Sequence, residues 1–271
     1  MLIKNFEEFT QHINEKLILF NNGAQYGQVV FTAGGAGSGK SFAISNFMEA
    51  HKFKSIDLDY MQKLFLKFAR EHPEEYKKFT ELDQKNPNDV SRLHNIMKEK
   101  GFRSTLLTNI LNSAVEGRLP NLLFDTTMKD PSKLHNHIPK LLKVGYDPEN
   151  IHLVWTLTDY SIAVERNRSR ERIVPDDVML KSHDGAAITM DKLFSGNLPE
   201  GFDGSIKVIL NNPEETIFWD NREIDIVKDF TYMTVKEPGE GLITDRNLRS
   251  KLYMWIKNNV PRTTQSTVFG K

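Results

Sequence analysis

Residues 34 to 41 contain the residue types and spacing best suited to chemistry in this sequence. They match the pattern G-x-x-x-x-G-K-[ST] at every fixed position. Glycines have no Cβ, so consecutive backbone N–H groups can turn inward around phosphate oxygens. A lysine at the end of the loop reaches the β- and γ-phosphates, and the following hydroxyl suits Mg²⁺. The predicted nucleotide-binding residues are Gly34, Gly35, Ala36, Gly37, Ser38, Gly39, Lys40 and Ser41.

The sequence on either side of this loop supports a triphosphate site. The apolar run "QVVFTA" predicts a buried strand before the loop, and "KSFAISNFMEAHK" predicts a helix after it. The dinucleotide pattern G-x-G-x-x-G fails, because Lys40 and Phe42 stand where its last glycine would be required. We therefore expect the loop to bind a nucleoside triphosphate, and a merely flexible turn is the alternative.

Two aspartates follow the next predicted strand, "FKSIDLD". On an extended strand Asp57 and Asp59 would share one face. If this strand neighbours the strand before the glycine loop, its carboxyl end opens onto the nucleotide crevice. A carboxylate there could accept the proton of an attacking hydroxyl. The alternative is structural, with Asp59 capping a helix that begins at Tyr60.

A third predicted strand, within "RLPNLLFDTT", ends at Asp125. An aspartate after an apolar strand suits the Walker B role of holding Mg²⁺. Thr126 follows it, where hydrolytic AAA+ motors usually carry a glutamate, and the sequence lacks the N-K-x-D guanine motif of switch GTPases. The sequence therefore favours a phosphotransferase over a motor or a switch.

Four arginines occur in the segment "ERNRSRER": Arg166, Arg168, Arg170 and Arg172. If the whole segment is helical, Arg166 and Arg170 share one face and the other two share another. Solvent exposure is the usual fate of such a run, and we expect it for two of the four. The others could neutralise charge on the γ-phosphate, since small kinases carry such cations on a mobile lid after the fourth strand.

The order of predicted elements determines the expected fold. Strands alternate with helices at the spacing of βα units, which predicts a mostly parallel sheet with helices on both faces. We expect a three-layer α/β/α sandwich of the P-loop NTPase type with a helical lid around residues 160–200. The predicted core covers residues 1–212, including an amphipathic N-terminal helix at 3–17. Residues 213–271 are predicted to form a C-terminal extension packed on this core.

Composition excludes several classes of protein. The 271 residues include no cysteine, so disulfides and thiolate metal sites are excluded. Lysine plus arginine equals aspartate plus glutamate at 36 each, so no net charge draws the chain to nucleic acid. The sequence shows no signal peptide and no apolar run of membrane-spanning length. We expect a cytoplasmic protein that does not associate with membranes.

Several segments, together with the loop, resemble the zeta toxin-like P-loop kinases. They are "SIDLDYMQK", "NLLFDTTMK", "KVGYDPENIHLVWTL" and "VERNRSRERIVPDD", within residues 28–210. The resemblance implies that Asp59 is the general base, with Asp57 as the second choice. It implies that Arg166 and Arg172 clasp the triphosphate and that Asp125 replaces an acidic residue of the family. The acceptor contacts that it implies are Thr127, Lys129 and, by spacing, Asn109.

The sequence departs from the family pattern at two positions near the expected acceptor site. Thr126 replaces a glycine and Lys129 replaces an arginine. We expect a kinase that uses ATP, with GTP as the alternative, and Mg²⁺ to phosphorylate a hydroxyl of a small nucleotide-like or nucleotide-sugar acceptor. A polynucleotide 5′-hydroxyl kinase and a non-catalytic ATP-binding regulatory module are the alternatives, and nucleic acid is not favoured as a partner. An inhibitory protein partner is a further expectation from the resemblance.

Overall fold

The structure is a computed structural model, and it describes most of the chain from residue 26 onward. The described residues are 26–48, 50–56, 58–83, 85–99, 101, 105, 107, 108, 110, 112, 119–170, 172–212, 217–219, 226–229, 231–261 and 264. The helix predicted at 3–17 lies outside them, as do Asp57 and Asn109.

A six-stranded sheet forms the centre of the fold. Its strands, in spatial order, are β2 (Lys54–Ser55), β3 (Leu122–Phe124), β1 (Val29–Ala33), β4 (Ile151–Leu157), β5 (Ile206–Leu210) and β8 (Thr231–Lys236). The first five strands are parallel to one another. Strand β8 pairs antiparallel with β5 at the edge of the sheet. Strands β6 (Ile217–Trp219) and β7 (Ile226–Asp229) form a separate antiparallel pair.

Helices connect the strands. They are α1 (Lys40–Phe47), α2 (Leu58–Glu71), α3 (Pro73–Thr80), α4 (Pro87–Glu99), α5 (Ser132–Val144), α6 (Tyr160–Arg168), α7 (Asp176–Phe194) and α8 (Arg246–Asn259). None of the helices that the structure describes combines the length and apolar character needed to cross a membrane.

Helices cover both faces of the sheet because neighbouring residues of a strand point to opposite sides. Phe31 of β1 lies in the larger core cluster, to which α5, α7 and α8 contribute apolar side chains. The adjacent Val30 lies in a second cluster with Ala43 of α1. Phe31 also stacks on Phe124 of β3, with ring centroids 4.5 Å apart. The predicted α/β fold with a mostly parallel sheet is confirmed.

The second strand differs from its prediction in length and in place. It covers two residues at the edge of the sheet, so β3, and not β2, neighbours β1. Helix α2 already begins at Leu58, so Asp59 lies in the first turn of a helix and the prediction of a shared strand face was wrong. The helix forms here because Gln62, Leu66 and Ala69 recur on one buried face at helical spacing.

The arginine segment is not one continuous helix. Helix α6 ends at Arg168, so the predicted shared faces for Arg170 and Arg172 were wrong. The chain turns back because the buried Asn167 side chain binds both polar groups of Val174. Its Nδ2 donates to the Val174 carbonyl (2.8 Å), and the Val174 N–H donates to its Oδ1 (3.0 Å).

The region beyond residue 212 contributes to the sheet. Strand β8 extends the sheet past β5, so a segment beyond residue 212 adds a strand to the central sheet. Helix α8 also lies in this region, and it buries Leu252, Trp255 and Ile256 against the larger cluster. The division of the chain at residue 212 stays a prediction.

A buried histidine network predicts how stability depends on pH. His152 of β4 is 3% exposed; the Ser205 N–H donates to its Nδ1 (3.1 Å), which fixes the neutral ring that donates from Nε2 to Gln28 Oε1 (2.8 Å). Burial, and then the nearby positive charges of Lys207 and Lys236, lower the pKa of His152 to about 4.

We expect this histidine to destabilise the fold as the pH falls. His152 binds its proton near pH 6.5 in the unfolded chain but only near pH 4 in the folded chain. The contribution of the neutral ring to the free energy of unfolding is therefore fully present above pH 6.5 and is lost as the pH falls toward 4. At pH 5 the loss is about 2 kcal/mol. Urea unfolding at pH 7 and pH 5 measures the free energy of unfolding at each pH. In His152→Gln the difference between the two values should be smaller than in the parent by this amount. An unchanged pH dependence would contradict the assignment, and His135→Gln, at an exposed histidine, is the control.

Candidate active site

The glycine loop joins β1 to α1 in a backbone conformation that glycine favours. Gly37 has φ of 77° and Gly39, at the N-cap of α1, has φ of 87°. A Cβ on Gly37 would lie 2.2 Å from the Ala163 carbonyl oxygen of α6, and one on Gly39 would lie 2.0 Å from Asn211 Nδ2. These glycines are therefore required by both backbone angle and contact with neighbouring elements.

The beginning of the loop is equally close to the protein. A Cβ on Gly34 would lie 2.5 Å from the carbonyl oxygen of Thr156 in β4, and one on Gly35 would lie 2.0 Å from the ring of His183 in α7. The loop thus sits against β4, α6, α7 and the residue after β5. This packing was not predicted, because the motif pattern describes only contacts with phosphate.

Lys40 and Ser41 lie at the start of α1. The Lys40 ammonium bends back over the loop and donates to the carbonyl oxygens of Gly34 (2.9 Å) and Gly35 (3.2 Å). The Ser41 residue is exposed in the first turn. A cation and the positive end of a helix therefore face the same loop, which is the arrangement that binds phosphate.

Two strand-end residues hold the Ser38 carbonyl and were missed in the sequence. The buried Thr158 hydroxyl donates to it over 2.7 Å, and the buried Asn211 Nδ2 donates over 2.9 Å. Both residues directly follow the carboxyl ends of parallel strands, β4 and β5. The strand-end rule that selected Asp125 could have selected them too.

The four arginines separate into different environments. Arg166 is partly buried beside the loop, where its Nη1 donates to the Asn211 carbonyl (3.1 Å), and burial lowers its pKa. Arg168 and Arg170 are exposed, which confirms solvent exposure for two of the four. The Nη1 of Arg172 donates to Gln62 Oε1 over 3.4 Å. Gln62 is one turn beyond Asp59 on α2, so Arg172 lies near the start of that helix.

The third strand's end is tied to the loop strand by hydroxyl groups. The Thr32 hydroxyl of β1 donates to Asp125 Oδ1 over 3.1 Å. The same hydroxyl oxygen accepts a hydrogen bond from the Thr126 N–H over 3.0 Å. Thr126 in turn donates its hydroxyl to the Thr32 carbonyl over 2.6 Å. The threonine that replaces the family glycine thus has a structural role, because it joins the ends of β1 and β3.

Two of the predicted acceptor residues, Thr127 and Lys129, lie in a turn beside the loop. The Gly34 N–H donates to the Thr127 carbonyl over 3.1 Å. Met128 then adopts φ of 51°, a left-handed conformation that costs energy for a residue with a side chain. The Lys129 backbone lies so close to α7 that a Cβ on Gly185 would be 2.3 Å from its carbonyl oxygen. Gly185 itself lies within the continuous helix α7.

The expected metal ligands of the site are few and carry oxygen. The described part of the chain contains no cluster of three or more His, Asp or Glu side chains that could hold a metal. Ser41 and Asp125, the two expected metal ligands, are both near the loop, and Asp125 is oriented toward β1. Mg²⁺ commonly takes only one or two protein oxygens, with water and substrate phosphates completing its shell.

The fold and the loop together define a P-loop nucleotide-binding protein of the α/β class. Comparison with known families specifies it further: the family model described as "Zeta toxin" matches residues 12–224. The chain therefore belongs to the zeta toxin family, whose members are P-loop kinases, and the resemblance inferred from sequence is confirmed. No curated protein matches the chain by sequence.

Three solved structures are similar to this chain at low sequence identity, and only the first has a TM-score above 0.5. The AvrRxo1-ORF1:AvrRxo1-ORF2 complex with sulphate ions has a TM-score of 0.52 at 11% identity, covering 90% of this chain and 70% of that one. The same pair with ATP has a TM-score of 0.47 at 11% identity, covering 94% and 71%. A structure of the PezAT toxin–antitoxin system of Streptococcus pneumoniae has a TM-score of 0.41 at 11% identity, covering both chains fully at 100%. These similarities concern the fold alone.

The close contact at Gly37 gives a stability prediction. We expect Gly37→Ala to lower the free energy of unfolding by roughly 1–3 kcal/mol, because the new Cβ meets the Ala163 carbonyl and the backbone angle is unfavourable. Urea unfolding measures the change. Gly241→Ala is the matched control, since no atom lies within 4 Å of its Cβ position. Equal stability of the two variants would show that the loop does not sit against α6 as described.

Proposed function

We propose that this protein transfers the γ-phosphoryl group of ATP to a hydroxyl group of a nucleotide-like or nucleotide-sugar acceptor. The observation that carries the proposal is the direct bond between the donor loop and the acceptor turn, from the Gly34 N–H to the Thr127 carbonyl. It fixes the two segments next to each other. Phosphoryl transfer depends largely on such positioning, together with electrostatic stabilisation.

The donor site neutralises charge on the triphosphate. Lys40 and the N-terminus of α1 supply positive charge at the loop, and Arg166 lies beside Gly39, 3.7 Å from the position of a Cβ there. We propose that Arg166 binds the phosphates directly. Arg172 approaches from the side of α2, where it would act between donor and acceptor. Charge develops on the phosphoryl oxygens during transfer, so these cations lower the barrier.

Asp59 is the proposed general base, with Asp57 as the second choice. Asp59 lies in the first turn of α2, one turn before Gln62, and Gln62 contacts Arg172. The acceptor hydroxyl gives its proton to the carboxylate, its oxygen forms a bond to the γ-phosphorus, and the bond to the β–γ bridging oxygen breaks to release ADP. GTP is the alternative donor.

Mg²⁺ is the proposed metal, and the residues present fit it. The Ser41 hydroxyl and the Asp125 carboxylate are hard oxygen ligands, and Thr32 orients the carboxylate from β1. When bound, Mg²⁺ would neutralise part of the negative charge on the phosphate groups. Ser41 and Asp125 would hold it, while Lys40 and Arg166 bind the remaining phosphate oxygens.

The acceptor is proposed to contact Thr127, Lys129 and Asn109. Lys129 supplies a positive charge, which suits an acceptor that carries phosphate groups of its own. Met128, between the first two residues, is buried in a left-handed backbone conformation, which supports a defined position for this turn. An inhibitory protein partner stays a prediction.

Two substitutions separate binding from chemistry. Lys40→Ala should reduce transfer by roughly a thousandfold or more, because it removes a cation from the phosphates. Asp59→Asn should reduce turnover by roughly a hundredfold or more while ATP affinity changes little, because the base contributes only to the chemical step. Calorimetric titration with ATP and a turnover assay measure the two effects. Full activity of Asp59→Asn would assign the base to Asp57 or refute this mechanism.

The arginines provide an internal comparison. Arg166→Ala should lower kcat by roughly a hundredfold, because a partly buried cation beside the loop is lost. Arg170→Ala, at an exposed arginine of the same segment, is the matched control and should leave kcat within about twofold of the parent. Equal effects of the two substitutions would refute the proposed role of Arg166.

The acceptor class is tested with γ-labelled ATP and a set of nucleotides, nucleotide sugars and 5′-hydroxyl oligonucleotides. We expect label to appear on a nucleotide or nucleotide sugar. Label on the oligonucleotides alone would instead identify a polynucleotide kinase. ATP binding without transfer to any compound of an extract would indicate a regulatory module.

A further inference from the structure

Helix α7 binds both polar backbone groups of one residue of the phosphate loop. His183 Nε2 is 2.8 Å from the Ala36 carbonyl oxygen, and the Ala36 N–H donates to the Ser182 hydroxyl over 3.2 Å. The Ser182 hydroxyl in turn donates a hydrogen bond to the Met179 carbonyl oxygen over 2.8 Å. Both side chains are buried, with 7% of His183 and 4% of Ser182 exposed.

The Ala36 carbonyl fixes the direction of the next backbone N–H. The carbonyl of Ala36 and the N–H of Gly37 belong to one planar trans peptide, in which they point in opposite directions. Because His183 holds the carbonyl toward α7, the Gly37 N–H points away from α7. The Ala36 N–H is already bound to Ser182, so Gly37 supplies the next donor of the loop for a phosphate oxygen.

A histidine suits this position for reasons of space and charge. Its ring lies against Gly35, where even a methyl group would overlap it, and it packs edge-on against Tyr160 with centroids 5.2 Å apart. Burial is the main cause that lowers the pKa of His183 to about 4, and the positive charge of Lys40 lowers it further. The hydrogen bond to the Ala36 carbonyl and the charge of Asp184 act in the opposite direction. The ring is therefore neutral at pH 7 and donates from Nε2 without placing a second charge beside Lys40.

We propose that His183 and Ser182 are positioning residues that aim the Gly37 N–H at the phosphate chain of the donor nucleotide. This inference rests on the proposed function, in which ATP is the donor. The two side chains do not touch the nucleotide. They act by preventing rotation of the peptide between Ala36 and Gly37, so that the donor is already oriented before ATP arrives.

The test compares two amides that differ in reach. In His183→Gln the amide nitrogen can take the position of Nε2 and donate to the Ala36 carbonyl, whereas in His183→Asn the side chain is too short. We expect the Kd for ATP to rise by roughly tenfold or more in His183→Asn and to stay within about threefold of the parent in His183→Gln. The KM for the acceptor should not change in either variant. His135→Gln and His135→Asn, on the exposed side of α5, are controls.

A second measurement reports on Gly37 itself. In the parent and in His183→Gln, ATP should move the Gly37 amide proton resonance downfield, and this shift should be largely lost in His183→Asn. Ser182→Ala changes little volume and should also weaken ATP binding. If His183→Asn does not fold, the ATP affinity of Ser182→Ala tests the inference in its place.

The outcomes distinguish this inference from the proposed function. Equal ATP affinity for His183→Gln and His183→Asn, or equal movement of the Gly37 resonance, would overturn the inference alone, provided that the parent binds ATP. If His183→Asn does not fold, parent-like ATP affinity of Ser182→Ala overturns it. A parent protein that binds neither ATP nor GTP would overturn both.

Discussion

The site depends on the absence of a side chain at four glycines of the loop. A Cβ on Gly34, Gly35, Gly37 or Gly39 would lie 2.5 Å or less from another element of the fold. At Gly34 and Gly37 the nearest atom is a backbone carbonyl oxygen, which cannot move away without shifting β4 or α6. The ends of β4 and β5 and the positions of α6 and α7 are therefore set relative to the loop.

The same contacts orient the backbone dipoles of the loop. Thr158 and Asn211 hold the Ser38 carbonyl, and His183 holds the Ala36 carbonyl. Each carbonyl that is bound by the surrounding protein turns the next N–H the other way. A cradle whose donors are fixed in advance stabilises anionic charge without reorganising during the reaction. Hydrogen bonds on the outside of the loop would therefore contribute to the proposed phosphate binding on the inside.

Features that depend on local sequence could be predicted, and features that depend on packing could not. The loop motif, the βα alternation and the exposure of two arginines follow from short patterns. The insertion of β3 between β2 and β1 does not, because strand order is decided by contacts between distant segments. The same holds for Arg172, whose neighbour Gln62 is 110 residues away in sequence, and for His183, 147 residues from Ala36. A lone histidine in a helix gives no signal of such a contact.

Helix α7 connects the two segments between which the phosphoryl group would move. It holds the donor loop through His183 and Ser182, and two residues further on Gly185 admits the backbone of Lys129. Gly34 and Thr127 close the same unit from the other side through their backbone bond. A small displacement of α7 would therefore shift both segments together. Since phosphoryl transfer is sensitive to ångström-scale misplacement, the packing of this one helix sets the geometry in which the proposed reaction occurs.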